Sequence, residues 1–115
     1  MTLIDVVVTK YDHTVDFLYE LGFIDDQTLV TDFANHEQVI GREVFGYLPL
    51  HMMTSIAGLW IFDIKIPGEK RGKPLSLKEL REYVYGLSRY TVERERFDLD
   101  GEPRRNSGNN SRPVY

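Results

Sequence analysis

The sequence contains no cysteine. That excludes disulfides and thiolate metal sites, and it suits a reducing compartment. No apolar stretch approaches the roughly 20 residues needed to cross a bilayer. The opening residues MTLIDVVVTK place Asp5 inside their apolar run and carry no basic start, so they do not read as a signal peptide. A cytoplasmic chain with no membrane partner is expected. An excess of positive charge is also missing. Fourteen Lys and Arg against 18 Asp and Glu leave a formal charge of −4, which disfavours sequence-independent binding to long nucleic acid. A small anion held by a few local donors is still compatible with that balance.

Several chemical signatures are absent as well. No G-x-G-x-x-G follows the first apolar run, and there is no Walker A segment, so dinucleotide and ATPase sites are disfavoured. No G-x-S-x-G elbow occurs, which removes classical serine hydrolysis. His13, His36 and His51 are scattered without ligand spacing, so neither a metal nor another cofactor is expected. Asp25 and Asp26 read as a turn.

What is present fits one globular domain. The 115 residues are 42% hydrophobic and 28% charged, the range of a single folded unit. Residues 1–100 are assigned to that domain and 101–115, GEPRRNSGNNSRPVY, to a disordered tail. Arg104, Arg105 and Arg112 against Glu102 give the tail a net charge of +2. A phosphate-attracting arm is the alternative reading of that segment.

Apolar patterning predicts strands at Leu3–Val8, Thr28–Thr31, Glu43–Tyr47 and Trp60–Ile66, with a weak edge strand at Thr91–Phe97. A helix is predicted over His13–Leu21, capped by Asp12 and closed by Gly22. Asn35–Val39 reads as a turn or short helix. Pro49 opens a further helix that runs through Ile56 and Ala57 to about Gly58. Ser76 and Glu79 form a capping box, and Leu77, Leu80, Val84 and Leu87 carry that last helix on a 3-4-3 stripe. Strands alternating with helices imply right-handed crossovers and a mostly parallel sheet of four to five strands.

In such sheets ligands bind beyond the carboxyl ends of the strands. This rule selects Thr9–His13 and Tyr47–His51, with the basic loop Glu69–Lys73 at the same edge. His51, in the first turn of a helix, could protonate a leaving alkoxide; capping or packing is the plainer role. Lys10 could clamp a phosphate, and Thr9 and Tyr11 could orient a ribose or base. Arg71 can hold phosphate bidentately beside Lys73, whereas a solvated loop is the competing account. Met52 and Met53 suit a core or a dimer seam.

Three segments, Val8-Thr9-Lys10-Tyr11, Gly46-Tyr47-Leu48-Pro49-Leu50-His51 and Arg71-Gly72-Lys73-Pro74-Leu75-Ser76, resemble the small Csx-type CRISPR-associated ring nucleases of type III systems. That family has Val-Thr-Arg-His, G-x-L-P-x-H and R-G-x-x-L-S in the same order, across about residues 3–90 of this chain. Lysine stands at position 10 and tyrosine at position 11, where the family has arginine and histidine. The resemblance implies a Rossmann-like, CARF-like three-layer α/β fold and a homodimer. It also implies metal-independent cleavage of cyclic oligoadenylate, typically cyclic tetra-adenylate, by attack of a ribose 2′-hydroxyl on the adjacent phosphate. His51 would then be the general acid and Lys10 and Arg71 the phosphate clamps. Thr9, Tyr11, Leu48, Pro49 and Lys73 would be the ligand contacts. A protein that binds the ring without cutting it is the alternative.

Overall fold

Three consecutive valines set the centre of the molecule. In the computed structural model, which describes residues 2–99 and 103–104, they form strand β1 (Val6–Val8). Branched Cβ atoms suit an extended backbone packed on both sides. Accordingly Val6 and Val7 are fully buried, in two different core clusters. β1 pairs in parallel with β2 (Leu29–Thr31) and β3 (Glu43–Gly46). β4 (Gly58–Ile64) follows β3 in parallel, and β5 (Val84–Tyr90) closes the sheet antiparallel to β4. The order β2-β1-β3-β4-β5 gives the expected α/β architecture with a mostly parallel five-stranded sheet, compatible with a small Rossmann-like fold.

Helices lie on both faces. On one face, Val15 and Leu18 of α1 (Asp12–Glu20) pack with Val7, Phe45, Phe62 and Leu87. α4 (Leu77–Tyr83) neighbours α1. Glu20 on α1 accepts from Arg81 on α4 through both carboxylate oxygens. On the other face, α2 (His36–Val39) and α3 (Leu50–Met53) contribute Val39, Met52 and Met53 to a cluster around Val6 and Val44. Along β1 and β3 the side chains thus alternate between two cores, as the two-residue period of a strand requires.

α1 begins at Asp12 with Tyr11 as its N-cap, one residue earlier than the sequence suggests. Its other end is a Schellman motif: Phe23 N–H donates to Leu18 C=O at 3.1 Å and Gly22 N–H to Tyr19 C=O at 3.0 Å. Gly22 has φ +83°, a conformation that costs other residues about 1–2 kcal/mol.

Two predicted helices are shorter than expected. The helix opening after Pro49 stops at Met53 and does not reach Gly58. There the Thr54 hydroxyl turns back onto His51 C=O at 3.2 Å. The next residues pair with the approach to β3 instead, through Gly41 N–H to Ser55 C=O and Ala57 N–H to Arg42 C=O, both 2.8 Å. The last helix ends at Tyr83, and Val84–Tyr90 is a strand. Val84 and Leu87 satisfied a helical stripe, yet Leu87 lies opposite Phe62 in the sheet. The six registered pairs with β4, together with the helical cost of Gly86 of about 1 kcal/mol, outweigh local propensity. Thr91–Phe97 is not an edge strand of this sheet. Only Arg96–Phe97 (β6) is extended, paired antiparallel with Pro103–Arg104 (β7). The remainder of the expected tail lies outside the described residues.

The amino edge of the sheet is tied by ions. Glu43 accepts from Trp60 Nε1 at 2.8 Å and from Arg89 Nε and a terminal nitrogen at 2.7 and 2.9 Å, and Arg89 also donates to Ala57 C=O at 2.9 Å. The Arg89 guanidinium is the main cause holding the Glu43 carboxyl below its usual range; burial opposes it and the Trp60 N–H adds to it.

Candidate functional site

In an open α/β sheet the ligand crevice opens where adjacent strands send their connections to opposite faces. β1 leads to α1 on one face and β3 leads to α3 on the other, so that point lies between β1 and β3. The two strands end together, with Val8 registered opposite Gly46. Gly46 has φ +124°, and a Cβ there would stand 2.2 Å from the Val8 carbonyl oxygen. Only glycine lets the backbones approach so closely before they diverge.

Beyond Val8 the chain turns at once. Thr9 N–H donates to Thr31 C=O at 2.9 Å, and its hydroxyl oxygen accepts from Tyr11 N–H at 3.2 Å. This turn delivers Tyr11 to a cavity of about 220 Å³ lined also by Thr9, Thr14, Gly46, Tyr47 and Phe62. A second cavity of about 270 Å³ shares Tyr11 and Thr14 and continues to Gly72, Lys73, Pro74 and Leu75 of the basic loop. The carboxyl ends of β1 and β3 and the loop after β4 are thereby joined around one tyrosine.

Of the residues expected here, Thr9, Tyr11 and Lys73 line the cavities. Lys10, Pro49, His51 and Arg71 stand exposed in the same segments, outside both linings. Leu48 is different: only 7% exposed, it belongs to the Val6–Val44 core, so its side chain anchors the turn and does not face a ligand. α3 is a single turn of four residues, so little helix dipole stands behind His51.

The basic loop is also less basic than its composition. Lys70 Nζ lies 3.0 Å from Glu79 Oε2, and the Glu79 carboxylate is the main cause that raises the Lys70 ammonium above its ordinary range. Glu79 in turn is held below the usual carboxylate range, first by the Ser76 backbone N–H and then by Lys70. The cations left to meet an anion from this loop are Arg71 and Lys73.

Sequence reasoning missed Thr14, which lines both cavities, and the role of Tyr47, which is 80% exposed. With Phe33 and Leu50, 77% and 72% exposed, and Tyr11, Tyr47 gives the carboxyl edge four accessible apolar side chains. Their common place after β1, β2 and β3 was the available signal. Among the described residues no group of three or more His, Asp or Glu is placed to hold a metal ion, and no helix is long and apolar enough to cross a membrane.

A tyrosine face sharing a cavity with a lysine suits planar rings linked by phosphates, since bases stack on aromatic side chains and cations neutralise the backbone. Compared with known proteins, residues 6–93 match a family described as "Putative CRISPR-associated protein (Cas_VVA1548)". No curated protein and no solved structure matches the chain.

Proposed function

Because the chain belongs to the Cas_VVA1548 family of CRISPR-associated proteins, we propose that it binds cyclic oligoadenylate, cyclic tetra-adenylate in particular, and cuts it. The products would be linear oligonucleotides ending in 2′,3′-cyclic phosphate, and the effect would be to switch off type III CRISPR signalling. The observation that carries this reading is the pair of joined cavities at the β1–β3 divergence, with Tyr11 between them and Lys73 at the far end.

The roles follow from the chemistry. Tyr11 and Tyr47 offer faces for adenine. Lys10, Arg71 and Lys73 meet the phosphates, and Thr9 and Thr14 orient the ribose. The ribose 2′-hydroxyl releases its proton to solvent as its oxygen attacks the adjacent phosphorus in line, the P–O5′ bond breaks, and the 5′-oxygen takes a proton. His51 is the assigned donor. The enzyme contributes positioning and charge stabilisation on the phosphoryl oxygens. A four-phosphate ring with two-fold symmetry suits a homodimer whose carboxyl edges face the same ligand.

The test is incubation with cyclic tetra-adenylate in the presence of a chelator, followed by chromatography of the products. Linear 2′,3′-cyclic phosphate species are expected, and His51→Ala should slow single-turnover cleavage about 10²–10⁴-fold while binding persists. Parental cleavage by that variant would remove His51 from the mechanism. A second reading, binding without cutting, is favoured by two observations: tyrosine stands at position 11 where the ring nucleases have histidine, and His51 lies outside both cavity linings. It predicts that the ring is returned intact while the protein's melting temperature rises with ligand.

A further inference from the structure

The basic loop between β4 and α4 is closed by one side chain. Glu79, in the first turn of α4, makes a reciprocal capping box with Ser76: Ser76 N–H donates to Glu79 Oε1 at 3.1 Å, and Glu79 N–H to Ser76 Oγ at 3.1 Å. Its other oxygen, Oε2, lies 3.0 Å from Lys70 Nζ. Lys70 ends a 3₁₀ turn, Gly68–Lys70, whose N–H groups fold back on the loop: Lys70 N–H to Pro67 C=O at 2.9 Å and Arg71 N–H to Gly68 C=O at 3.3 Å. Glu79 therefore grips the loop on both sides of Arg71–Leu75, once at Lys70 and once at Ser76. Between those grips lie Gly72, Lys73, Pro74 and Leu75, which form one wall of the second cavity.

We infer that Glu79 is a positioning residue that clips this loop against α4 and so fixes Lys73 at the cavity and Arg71 beside it. A capping box alone needs only one carboxylate oxygen. The second oxygen is used on a lysine nine residues away in sequence, and that lysine is thereby withdrawn from any anion in the cavity. A lone exposed ion pair has little energy, but this one shares its carboxylate with a helix cap already formed. The lysine is thus captured at low additional ordering cost. What the loop holds, the phosphates of the cyclic oligoadenylate, rests on the function proposed above; the clip itself does not.

Two full-length variants release the clip from opposite ends. Glu79→Gln keeps the capping box, which glutamine serves as well, and loses the negative charge that holds Lys70. Lys70→Met loses the same contact and leaves Glu79 in place. Both should raise amide hydrogen exchange across residues 68–75 several-fold while α1 and the sheet stay protected. In cleavage of cyclic tetra-adenylate, kcat should fall about tenfold through misplacement of the phosphate contacts, with KM much less affected. Lys70→Arg should retain both the protection and the rate. Unchanged exchange at 68–75 in either variant overturns the clip, and raised exchange with parental kcat overturns its positioning role. If the parent protein leaves the ring intact, the proposed function falls, and the exchange pattern alone still decides whether Glu79 holds the loop.

Discussion

Replacing Gly46 by alanine should be among the most damaging single changes in the chain, and its cost can be worked out from two glycines. Gly22 and Gly46 both have positive φ, +83° and +124°. At Gly22 an added Cβ meets nothing within 4 Å, so Gly22→Ala carries only the backbone cost, about 1–2 kcal/mol. At Gly46 the backbone strain is about 1–3 kcal/mol. The added methyl would also stand 2.2 Å from the Val8 carbonyl oxygen and 3.1 Å from its carbon. Relief requires β1 and β3 to separate by about an ångström at their shared end, an overpacking of about 1–3 kcal/mol. The sum is about 2–6 kcal/mol, against total stabilities of about 5–15 kcal/mol for domains of this kind. Urea unfolding followed by circular dichroism reads it directly. Gly46→Ala should lower the midpoint further than Gly22→Ala, about two- to threefold at the centres of the two ranges, at an unchanged m-value. Equal shifts for the two variants would refute the close approach of β1 and β3 and, with it, the shape given to the cavity.

Glu43→Gln tests the network at the other edge. The folded-state pKa of Glu43 is lowered, so its ion pair stabilises the fold above the ordinary value of 4.5 and that contribution is lost as pH falls through the folded value. The stability gap between parent and variant, about 1–3 kcal/mol for charge-assisted hydrogen bonds, should therefore be full at pH 7 and shrink below pH 4.5; a gap independent of pH would contradict it. Tyr11→Ala should weaken binding of cyclic tetra-adenylate about 5- to 150-fold, the range of one lost base–aromatic stack, and Tyr11→Phe should keep most of the affinity. Calorimetric titration separates the two, and parental affinity for Tyr11→Ala would move the ligand elsewhere. Arg81→Ala removes an ion pair whose side chains are 51% and 41% exposed, so its melting temperature should stay within a few degrees of the parent. A larger drop would mean that the α1–α4 contact depends on it.

Local pattern and long-range pairing divide what could be foreseen. Val6–Val8 and Val44–Phe45 announce buried strands because β-branched and aromatic side chains occupy both faces, and Gly22 announces the end of α1. From these, the rule for open α/β sheets selects Thr9–His13, Tyr47–His51 and Glu69–Lys73, the segments that supply Tyr11, Tyr47 and Lys73 to the cavities. β5 was hidden because Leu77, Leu80, Val84 and Leu87 satisfy a helical stripe, while the strand is stabilised by a partner 20 to 31 residues away, Ile64 opposite Val84 and Leu59 opposite Tyr90. The Glu43–Trp60–Arg89 network joins residues 17 and 46 positions apart, a separation at which no motif operates. Thr14 carries no signature of its own; it lines both cavities because the Thr9–Tyr11 turn starts α1 where it does. Leu48 lies inside a recognisable segment, and its side chain fastens that segment to the core.

The reversal of β5 decides where the chain leaves the sheet. Tyr90 is registered with Leu59 near the start of β4, so the polypeptide leaves the sheet at the pole opposite the cavities. At about 3.4 Å per residue, the seven residues of β5 carry it roughly 24 Å back from the carboxyl edge. A surface tether placed at Tyr90 itself therefore joins the molecule on its far side. Protein immobilised in that way should present Tyr11, Tyr47 and Lys73 outward, an orientation suited to measuring ligand capture on a sensor surface.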